Sequence, residues 1–534
     1  MEKIKNLETF GVMLDCSRNA VMKPETVKEY IDLISDLGYN SIMLYTEDTY
    51  EVDNQPYFGH NRGRYTKDEL KDLDAYANSK GVELIPCIQT LAHLDAIFHW
   101  SVYQSMRDCA DILLCEDERT YKLIEDMFSS LSQCLTTKTI NIGMDEAHML
   151  GRGRYFDRHG TKDRFDILLN HLAKVSEIAK KYDYKLLMWG DMFFRLISNG
   201  NYESGNIEVP QKVKDLIPDN VELVYWDYYS KDKANYDSKI AAHAALKDNI
   251  WFAGGLWTWS GFAPHNSFSI PATKAAFDSC FEHDIKNIFV TMWGDNGAEC
   301  SKFSVLPSLF YASELAKGNS DMELIKTRFA DKYGIGFDEF MLLDLPLTPN
   351  GNENIINSDK YLFYNDCFMG LFDKVVTPGD CENFGKMAQK LGEVKANKYS
   401  YLFKTLEALC KVLEKKADLG IRTRNAYMDG DKEALKSIIT DYDKTVSLIE
   451  DFYTAYEEQW MRENRPQGFD VQDIRIGGLI RRIEHSKKRI IQFIDGEISC
   501  LEELEEQPLD IKNRGNCSHL EFNSWRDTAT ANII

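Results

Sequence analysis

Residues 139–146 carry the sequence TINIGMDE, a short apolar run that ends in two adjacent carboxylates. Runs of this kind recur along about the first 320 residues, with helical patterns between them. The eight runs are Phe10–Asp15, Ser41–Tyr45, Val82–Ile88, Thr139–Gly143, Lys185–Trp189, Val221–Trp226, Trp251–Gly255 and Ile288–Trp293. Continuous apolar strands are typical of a parallel sheet that is covered on both faces. Eight strand-then-helix units therefore predict an α/β fold, a (β/α)8 TIM barrel rather than an open sheet.

Helical patterns separate these runs and later replace them. Between the runs they cover Pro24–Leu37, Lys67–Lys80, Asp163–Tyr182 and Ser238–Leu246. After about residue 335, apolar residues recur at helical spacing, and long charged helical stretches cover Glu433–Glu458 and Ile474–Glu506. The last residues, Phe522–Ile534, have an extended pattern and are expected to pack back on the body. We predict a catalytic barrel over residues 1–330 and an α-helical C-terminal domain over residues 331–534.

The charge balance limits the classes of partner. The chain has 534 residues, 85 of them acidic and 63 basic, which gives a formal net charge of −22. Such a field repels nucleic acids and anionic lipid surfaces, so neither is an expected partner. It also disfavours heavily sulfated or sialylated substrates, unless a local cluster of arginines overrides the mean charge.

The segments typical of export, membrane insertion and zinc binding are not found in the sequence. Residues 1–6 have no apolar core of a signal peptide, and no stretch approaches the roughly 20 apolar residues of a membrane span. The 12 cysteines are scattered, with no Cys-x-x-Cys pair. We therefore expect a cytoplasmic protein with free, buried thiols and without a metal.

Charged and aromatic side chains cluster at the carboxyl ends of the predicted strands, where barrel enzymes carry their active sites. In strand order they are Asp15 and Arg18; Glu47 and Asp48; His93; Asp145, Glu146 and His148; Trp189 and Asp191; Trp226, Asp227, Tyr228 and Tyr229; Trp257 and Trp259; and Trp293, Asp295 and Glu299. Pyranose rings stack their C–H faces on indoles, and sugar hydroxyls bind carboxylates and arginines. The pattern therefore indicates a sugar-binding site.

Asp145 and Glu146 form the sharpest feature of this rim. Two adjacent carboxylates repel each other, which moves their pKa values apart. One can then stay ionised while the other keeps a proton near neutral pH. Glycosidic cleavage needs such a proton donor for the leaving oxygen, so the pair predicts a glycoside hydrolase.

These residues resemble glycoside hydrolase family 20, the β-N-acetylhexosaminidases. The four matching motifs are Leu14–Arg18 (Leu-Asp-x-x-Arg), His93 after the third strand, Gly143–Glu146 with its Asp-Glu pair, and Trp293–Asp295 (Trp-x-acid). They span roughly residues 8–320 in the family's order. The chain is most similar to bacterial N-acetylglucosaminidases of the streptococcal type, which join the barrel to a helical C-terminal domain. Asn141, Met144 and Glu47–Tyr50 depart from the usual motifs but leave the acid in place.

The resemblance implies a substrate-assisted mechanism that needs no cofactor. The substrate's own 2-acetamido oxygen attacks the anomeric carbon, and water then opens the intermediate with net retention. The resemblance assigns Glu146 as the general acid and base. It assigns Asp145 as the carboxylate that orients the acetamido group. The implied substrate is a glycan or glycoconjugate with a terminal β-linked N-acetylglucosamine or N-acetylgalactosamine.

The substrate-binding residues implied by the resemblance surround this pair. Tyr228 would donate to the acetamido oxygen, with Tyr225 and Tyr229 as alternatives. Arg18 and Asp295 would bind the ring hydroxyls, and His93 would support them. The indoles that would enclose the sugar are Trp189, Trp226, Trp293 and either Trp257 or Trp259.

Two other functions fit the same residues. One is an ordinary retaining β-glycosidase, in which Asp295 or Glu299 is a protein nucleophile that faces Glu146. The other is a glycan-binding barrel without catalysis. The helical domain is expected to brace the barrel or to form a homodimer interface.

Overall fold

Eight parallel strands close into a barrel in chain order in this computed structural model, which describes residues 7–198, 200–202, 208–349, 351, 357–509, 511 and 523–533. The strands are β1 (Thr9–Asp15), β2 (Ser41–Tyr45), β3 (Glu83–Cys87), β4 (Thr139–Asn141), β5 (Lys185–Trp189), β6 (Val221–Trp226), β7 (Ile250–Gly255) and β8 (Asn287–Met292). The last strand pairs with the first in parallel register, Val12 opposite Val290. The predicted TIM barrel is confirmed.

The fourth strand is shorter than its apolar run because its backbone turns. It ends at Asn141, whose side-chain oxygen accepts a hydrogen bond from the Gly143 amide at 2.9 Å. Gly143 and Met144 then have φ angles of 73° and 68°, in the left-handed region. A strand cannot continue through such angles, so the chain leaves the sheet two residues before the predicted end and turns toward the rim.

Helices cover the outside of the barrel, and most strand-to-strand connections contain at least one. They are α1 (Pro24–Leu37), α2 (Lys67–Ser79), α3 (Asp95–Phe98), α4 (Glu118–Ser132), α5 (Arg154–His159), α6 (Arg164–Lys180), α7 (Asp191–Arg195), α8 (Gln211–Asp215), α9 (Lys233–Ala244), α10 (Asn266–Glu282) and α11 (Leu306–Ala316). Helix α1 begins at Pro24, as predicted, because proline fits the first helical turn.

The barrel interior is filled with side chains. They are Met13, Met43, Tyr45, Ile85, Cys87, Leu187, Trp189, Val224, Trp251, Ala253 and Phe289. Below the rim the barrel is therefore a packed core, and Tyr45 and Trp189 form the floor from which the rim residues rise.

The remainder of the chain is helical. Its helices are α12 (Met322–Tyr333), α13 (Phe337–Phe340), α14 (Ser358–Tyr364), α15 (Asp380–Glu393), α16 (Ser400–Lys416), α17 (Leu419–Met428), α18 (Lys432–Glu463), α19 (Phe469–Ile494), α20 (Glu502–Glu505) and α21 (Trp525–Ala529). The predicted boundary between residues 330 and 331 falls within α12 and stays a prediction.

Two predictions in this region were wrong in detail. The helix predicted over Ile474–Glu506 ends at Ile494, because Gly496 adopts a φ of 76° just after it. The C-terminal segment contains the short helix α21 instead of being extended throughout, and α21 packs against α14. Phe522 and Ile534, the ends of that predicted segment, lie outside the described residues.

Buried polar contacts join the helical region to the loop after β8. Lys360 Nζ lies 2.6 Å from Glu299 Oε2, and both side chains are almost completely buried. Arg475 donates to the Asn296 side chain at 3.0 Å, and Gln472 donates to the Gly297 carbonyl at 3.1 Å. The helical region therefore braces the loop that follows Trp293 and Asp295.

Two further findings, on membrane-spanning helices and on cysteines, refer to the described residues. None of their helices combines the length and apolar character that a bilayer span requires. The eleven described cysteines are unpaired, and eight of them are buried, including Cys16, Cys87 and Cys280. Cys517 lies outside the described residues.

Candidate active site

The Asp145–Glu146 pair lies on a tight turn at the carboxyl end of β4. Gly143, Met144 and Glu146 all have positive φ angles. A Cβ added to Gly143 would lie 2.0 Å from Gln89 Oε1, so only glycine leaves room for Gln89 at this position. The Met144 amide donates to the same Gln89 oxygen at 3.2 Å. The strained backbone of this turn therefore directs both carboxylates toward the rim of the barrel.

The Asp145 carboxylate is buried and held from two sides. Gln89 Nε2 donates to Asp145 Oδ1 at 2.8 Å, and His93 Nε2 lies 3.3 Å from Asp145 Oδ2. Burial alone would raise the pKa of Asp145, but the charge of His93 and the hydrogen bonds outweigh burial and lower the pKa. Burial would likewise lower the pKa of His93, yet the Asp145 charge raises this pKa to about 9. The two groups therefore form an ion pair.

Glu146 is the more exposed member, with 38% of its side chain accessible. Its Oε1 accepts a hydrogen bond from Arg195 Nη2 at 3.0 Å, and its amide donates to Asp191 Oδ2 at 3.1 Å. Arg195 also binds Asp191 at 2.7 Å. Burial and the nearby charge of Asp145 raise the pKa of Asp191 to about 7. The carboxyl of Glu146 is thus fixed in direction while its surface stays open to solvent.

Residues from β1, β2 and β8 form the polar side of the rim. Asp15 accepts the Gly294 amide at 2.7 Å, which ties the ends of β1 and β8 together. Arg18 Nη2 lies 2.9 Å from Glu47 Oε1. Burial raises the pKa of Asp295 to about 6 although Arg18 opposes the shift. Asn523, from the C-terminal segment, donates to Asp295 at 3.1 Å.

Aromatic rings form the remaining wall. Trp226 and Tyr228 stack with ring centroids 5.5 Å apart, and Trp259 packs edge-on to Tyr228 at 5.1 Å. Trp293 lies 6.1 Å from Trp189 in the floor of the site. These rings offer flat apolar faces next to the carboxylates, an arrangement suited to a pyranose ring.

These side chains enclose one pocket of about 110 Å³. It is lined by Arg18, Tyr45, His93, Asp145, Glu146, Trp189, Trp226, Tyr228, Tyr229, Trp259, Trp293 and Asp295. Every candidate implied by the resemblance is in this set except Trp257 and the alternative tyrosine Tyr225. Trp257 stacks on Trp259 at 4.8 Å, and its indole N–H donates to the Tyr228 carbonyl at 2.9 Å. Of the two alternatives, Trp259 therefore lines the pocket, while Trp257 supports Tyr228.

Several other rim candidates lie outside the lining. Asp48 is fully buried and pairs with Arg62 at 2.9 Å. Asp227 pairs with Lys239 at 2.8 Å, and Tyr225 donates to Asp227 at 3.1 Å. Glu299 forms an ion pair with Lys360, one of the contacts that join the helical region to the loop after β8. Among the acidic candidates, Asp145, Glu146 and Asp295 are therefore the ones that line the pocket.

Gln89, Arg195 and Asn523 also contact the candidate residues, although the sequence did not predict a role for them. Gln89 directly follows the third apolar run, which is the signal that could have indicated it. Arg195 lies one helical turn after Asp191, a spacing that predicts an ion pair but not its contact with Glu146. Asn523 has no sequence signal, because it reaches the rim from the other end of the chain.

The described residues contain no group of three or more His, Cys, Asp or Glu side chains arranged to hold a metal ion.

Paired carboxylates beside an indole-lined pocket, at the carboxyl rim of a closed barrel, define the catalytic domain of a glycoside hydrolase. The model of the glycosyl hydrolase family 20 catalytic domain matches residues 10–245, and that of the glycoside hydrolase 20C C-terminal domain matches residues 338–521. The chain belongs to glycoside hydrolase family 20.

Individual proteins that are similar to this chain match parts of it. Hexosaminidase D of Bos taurus is 25% identical over 251 residues, 44% of this chain and 66% of the relative. Hexosaminidase D of Homo sapiens is 22% identical over 220 residues, 40% of this chain and 43% of the relative. The solved β-N-acetylhexosaminidase of Bacteroides fragilis is 18% identical, with a TM-score of 0.46 over 61% of this chain and 70% of its own. The chain thus spans less than two thirds of the length of both curated relatives.

Proposed function

We propose that this chain is an exo-acting β-N-acetylhexosaminidase that works by substrate-assisted, retaining hydrolysis. The observation that carries the proposal is the buried, ionised Asp145 next to the open carboxyl of Glu146. Asp145 suits charge stabilisation and Glu146 suits proton transfer. The substrate is a terminal, non-reducing β-linked N-acetylglucosamine or N-acetylgalactosamine.

Asp145 acts on the acetamido group in this proposal. Its carboxylate accepts the acetamido N–H and turns the acetamido oxygen toward the anomeric carbon. The oxygen forms a bond to that carbon while the glycosidic C–O bond breaks, and positive charge spreads over the resulting oxazolinium ring. An ionised carboxylate in a buried site stabilises that charge strongly. The lowered pKa of Asp145 supports this role, because the group stays ionised across the neutral range.

Glu146 transfers the proton in both steps. It donates to the leaving oxygen as the C–O bond breaks, and its carboxylate then takes a proton from the water that opens the ring. The 38% exposure of its side chain supports this role, because both the aglycone and the water must reach the carboxyl. Arg195, at 3.0 Å, holds Glu146 in one direction for the two transfers.

Tyr228 is the proposed donor to the acetamido oxygen. Burial raises the pKa of Tyr228 far above the ordinary value, so its hydroxyl keeps the proton. Tyr225 is fully buried, and its hydroxyl already donates to Asp227. Tyr229 lines the pocket as well, but it is 56% exposed. These differences favour Tyr228 over the two alternatives.

The lining of the pocket supports exo action. Tyr45 and Trp189 close it from below, and twelve side chains in all surround a space of about 110 Å³. Arg18 and Asp295 line the pocket and offer the donor and acceptor that ring hydroxyls need. A pocket that is closed from below and has such partners suits one terminal sugar rather than an internal segment of a long chain.

Inhibition by a thiazoline mimic of the oxazolinium intermediate tests the mechanism. We expect inhibition at concentrations far below KM, because such a molecule resembles the charged intermediate. Asp145→Asn should bind the mimic much more weakly while retaining the melting temperature. A retaining enzyme with a protein nucleophile would cleave substrate but ignore the mimic. A glycan-binding barrel would bind the sugar without any turnover.

A further inference from the structure

A second cavity, of about 330 Å³, opens beside the candidate active site. We call it the arginine pocket. It is lined mainly by His148, Met149, Arg152, Arg164, Met192 and Arg195. Three of these side chains are arginines, in a chain whose net charge is −22. The lining of the arginine pocket is therefore positively charged, opposite in sign to the net charge of the chain.

Arg195 connects the arginine pocket to Glu146, the proposed general acid. Arg195 lines this pocket and also binds Glu146 Oε1 at 3.0 Å. A general acid must lie within hydrogen-bond reach of the oxygen that it protonates. The group that leaves with this oxygen therefore lies near Glu146, and the arginine pocket is one side chain, Arg195, away from Glu146.

Two of the three arginines have no carboxylate within ion-pair distance among the described residues. Only Arg195 is paired, with Glu146 and Asp191. Arg164 donates to the His148 carbonyl at 2.6 Å and to the Ala147 carbonyl at 3.3 Å, both neutral groups. Burial and then the charge of Arg152 lower the pKa of Arg164. The two guanidinium groups thus repel each other, and an anion bound in the cavity that both line would relieve that repulsion.

Arg152 is presented by a loop with a fixed backbone. The amides of Gly151 and Tyr155 donate to the two oxygens of the buried Asp108, at 3.0 and 2.8 Å. The Arg152 amide donates to the Met149 carbonyl at 3.0 Å. The side chain itself is exposed. An exposed cation on an anchored loop loses little backbone entropy when it binds a ligand.

Another cavity that Arg195 also lines lacks this excess of charge. It measures about 310 Å³ and is lined by Arg195, Trp226, Tyr229, Lys239 and Asp227, among others. Asp227 neutralises Lys239 at 2.8 Å. That cavity suits a neutral, flat group, whereas the arginine pocket suits an anion.

We infer that the arginine pocket binds an anionic group on the aglycone, a carboxylate or a sulfate, through Arg152 with the support of Arg164. The inference rests on the proposed function, and it narrows the substrate to N-acetylhexosamine linked to an acidic sugar or another acidic group. Guanidinium groups bind both anions through paired hydrogen bonds. Local charge then overrides the repulsion that the whole chain exerts on acidic glycans.

Three aryl β-N-acetylglucosaminides with 3-carboxyphenyl, 3-sulfophenyl and 3-carbamoylphenyl aglycones test the inference. The first two carry an anion and the third is a neutral match. We expect kcat/KM about tenfold higher for at least one anionic substrate at low salt, and a loss of that preference at about 1 M salt, where charges are screened within roughly 3 Å. The preferred anion, carboxylate or sulfate, identifies the group.

Arg152→Gln should reduce the ratio of anionic to neutral kcat/KM toward one. Arg481→Gln is the matched control, since it removes the same charge from an exposed side chain in α19, outside the pocket. Equal kcat/KM for all three substrates with the unaltered enzyme would overturn the inference and leave the proposed function standing. Cleavage of none of them would overturn the proposed function itself. An undiminished preference in Arg152→Gln would remove Arg152 as the anion ligand.

Discussion

His93 Nε2 lies 3.3 Å from Asp145 Oδ2 and 3.7 Å from Glu146 Oε2, so one imidazolium faces both members of the carboxylate pair. The pKa of His93 is raised to about 9 and that of Asp145 is lowered, which means that both groups are charged at neutral pH. The ionised state of Asp145 therefore depends on a third residue, His93, from the loop after β3.

Replacement of His93 by Gln should move the acidic limb of the pH profile. Without the imidazolium the pKa of Asp145 rises, since an opposite charge at this distance lowers a carboxyl pKa by roughly one to three units. Asp145 is then protonated at higher pH, and activity is lost earlier on acidification. We expect the acidic limb of kcat/KM to shift upward by about one unit. His99→Gln, at an exposed position, is the control, and an unmoved limb in His93→Gln would contradict the account.

Glu146→Gln should separate substrates by their leaving groups. The variant cannot donate a proton, so an unactivated disaccharide should lose about 10²–10⁴-fold in kcat. An aryl glycoside with a good leaving group should lose far less in its first step, because its oxygen needs little protonation. Steady-state kinetics with both substrates measure the difference. Near-normal turnover of the disaccharide would remove Glu146 as the acid.

Gly143→Ala should damage both stability and catalysis. The new Cβ would lie 2.0 Å from Gln89 Oε1 at a φ of 73°, so Gln89 must move away from Asp145. We expect a loss of about 1–3 kcal/mol in the free energy of unfolding together with a lower kcat. Gly477→Ala is the matched control, because that helical glycine has no atom within 4 Å of an added Cβ. It should stabilise the protein by up to about 1 kcal/mol. Equal effects of the two changes would contradict this account of the turn.

Lys360→Met should destabilise the junction between the barrel and the helical region. It leaves Glu299 without Lys360, its nearer buried cation, at a cost of about 3–5 kcal/mol. Chemical denaturation measures the loss. Adding Glu299→Gln removes the buried charge and should restore most of the stability. If the double variant were no more stable than the single one, the loss would have another cause, such as packing.

The barrel was predictable from sequence because each strand is a continuous apolar run that must be buried on both faces. Strands β2, β5 and β6 begin and end where their runs do. β4 does not, because the left-handed angles at Gly143 and Met144 end it early. Backbone angles are set by the contacts around the turn, such as Gln89, and an apolar pattern does not contain them.

The candidate site was predictable to the extent that it consists of residues at strand ends. Asp145, Glu146 and Asp295 follow directly from that rule and line one pocket. Trp257 and Trp259 could not be separated, since both follow β7 in a loop without regular alternation. Arg195 contacts Glu146 across 49 residues of sequence, and Asn523 contacts Asp295 across 228. Such contacts depend on the closure of the barrel and on the packing of the helical region.

Relative rates on matched aryl β-glycosides test the central claim most directly. The substrates are the 4-nitrophenyl β-glycosides of N-acetylglucosamine, N-acetylgalactosamine, glucose and galactose. If the acetamido oxygen is the nucleophile, we expect kcat/KM for the acetamido sugars to exceed that of their plain counterparts by about a thousandfold or more, since an intramolecular nucleophile is worth several orders of magnitude. Comparable cleavage of the plain glucoside or galactoside would contradict the account.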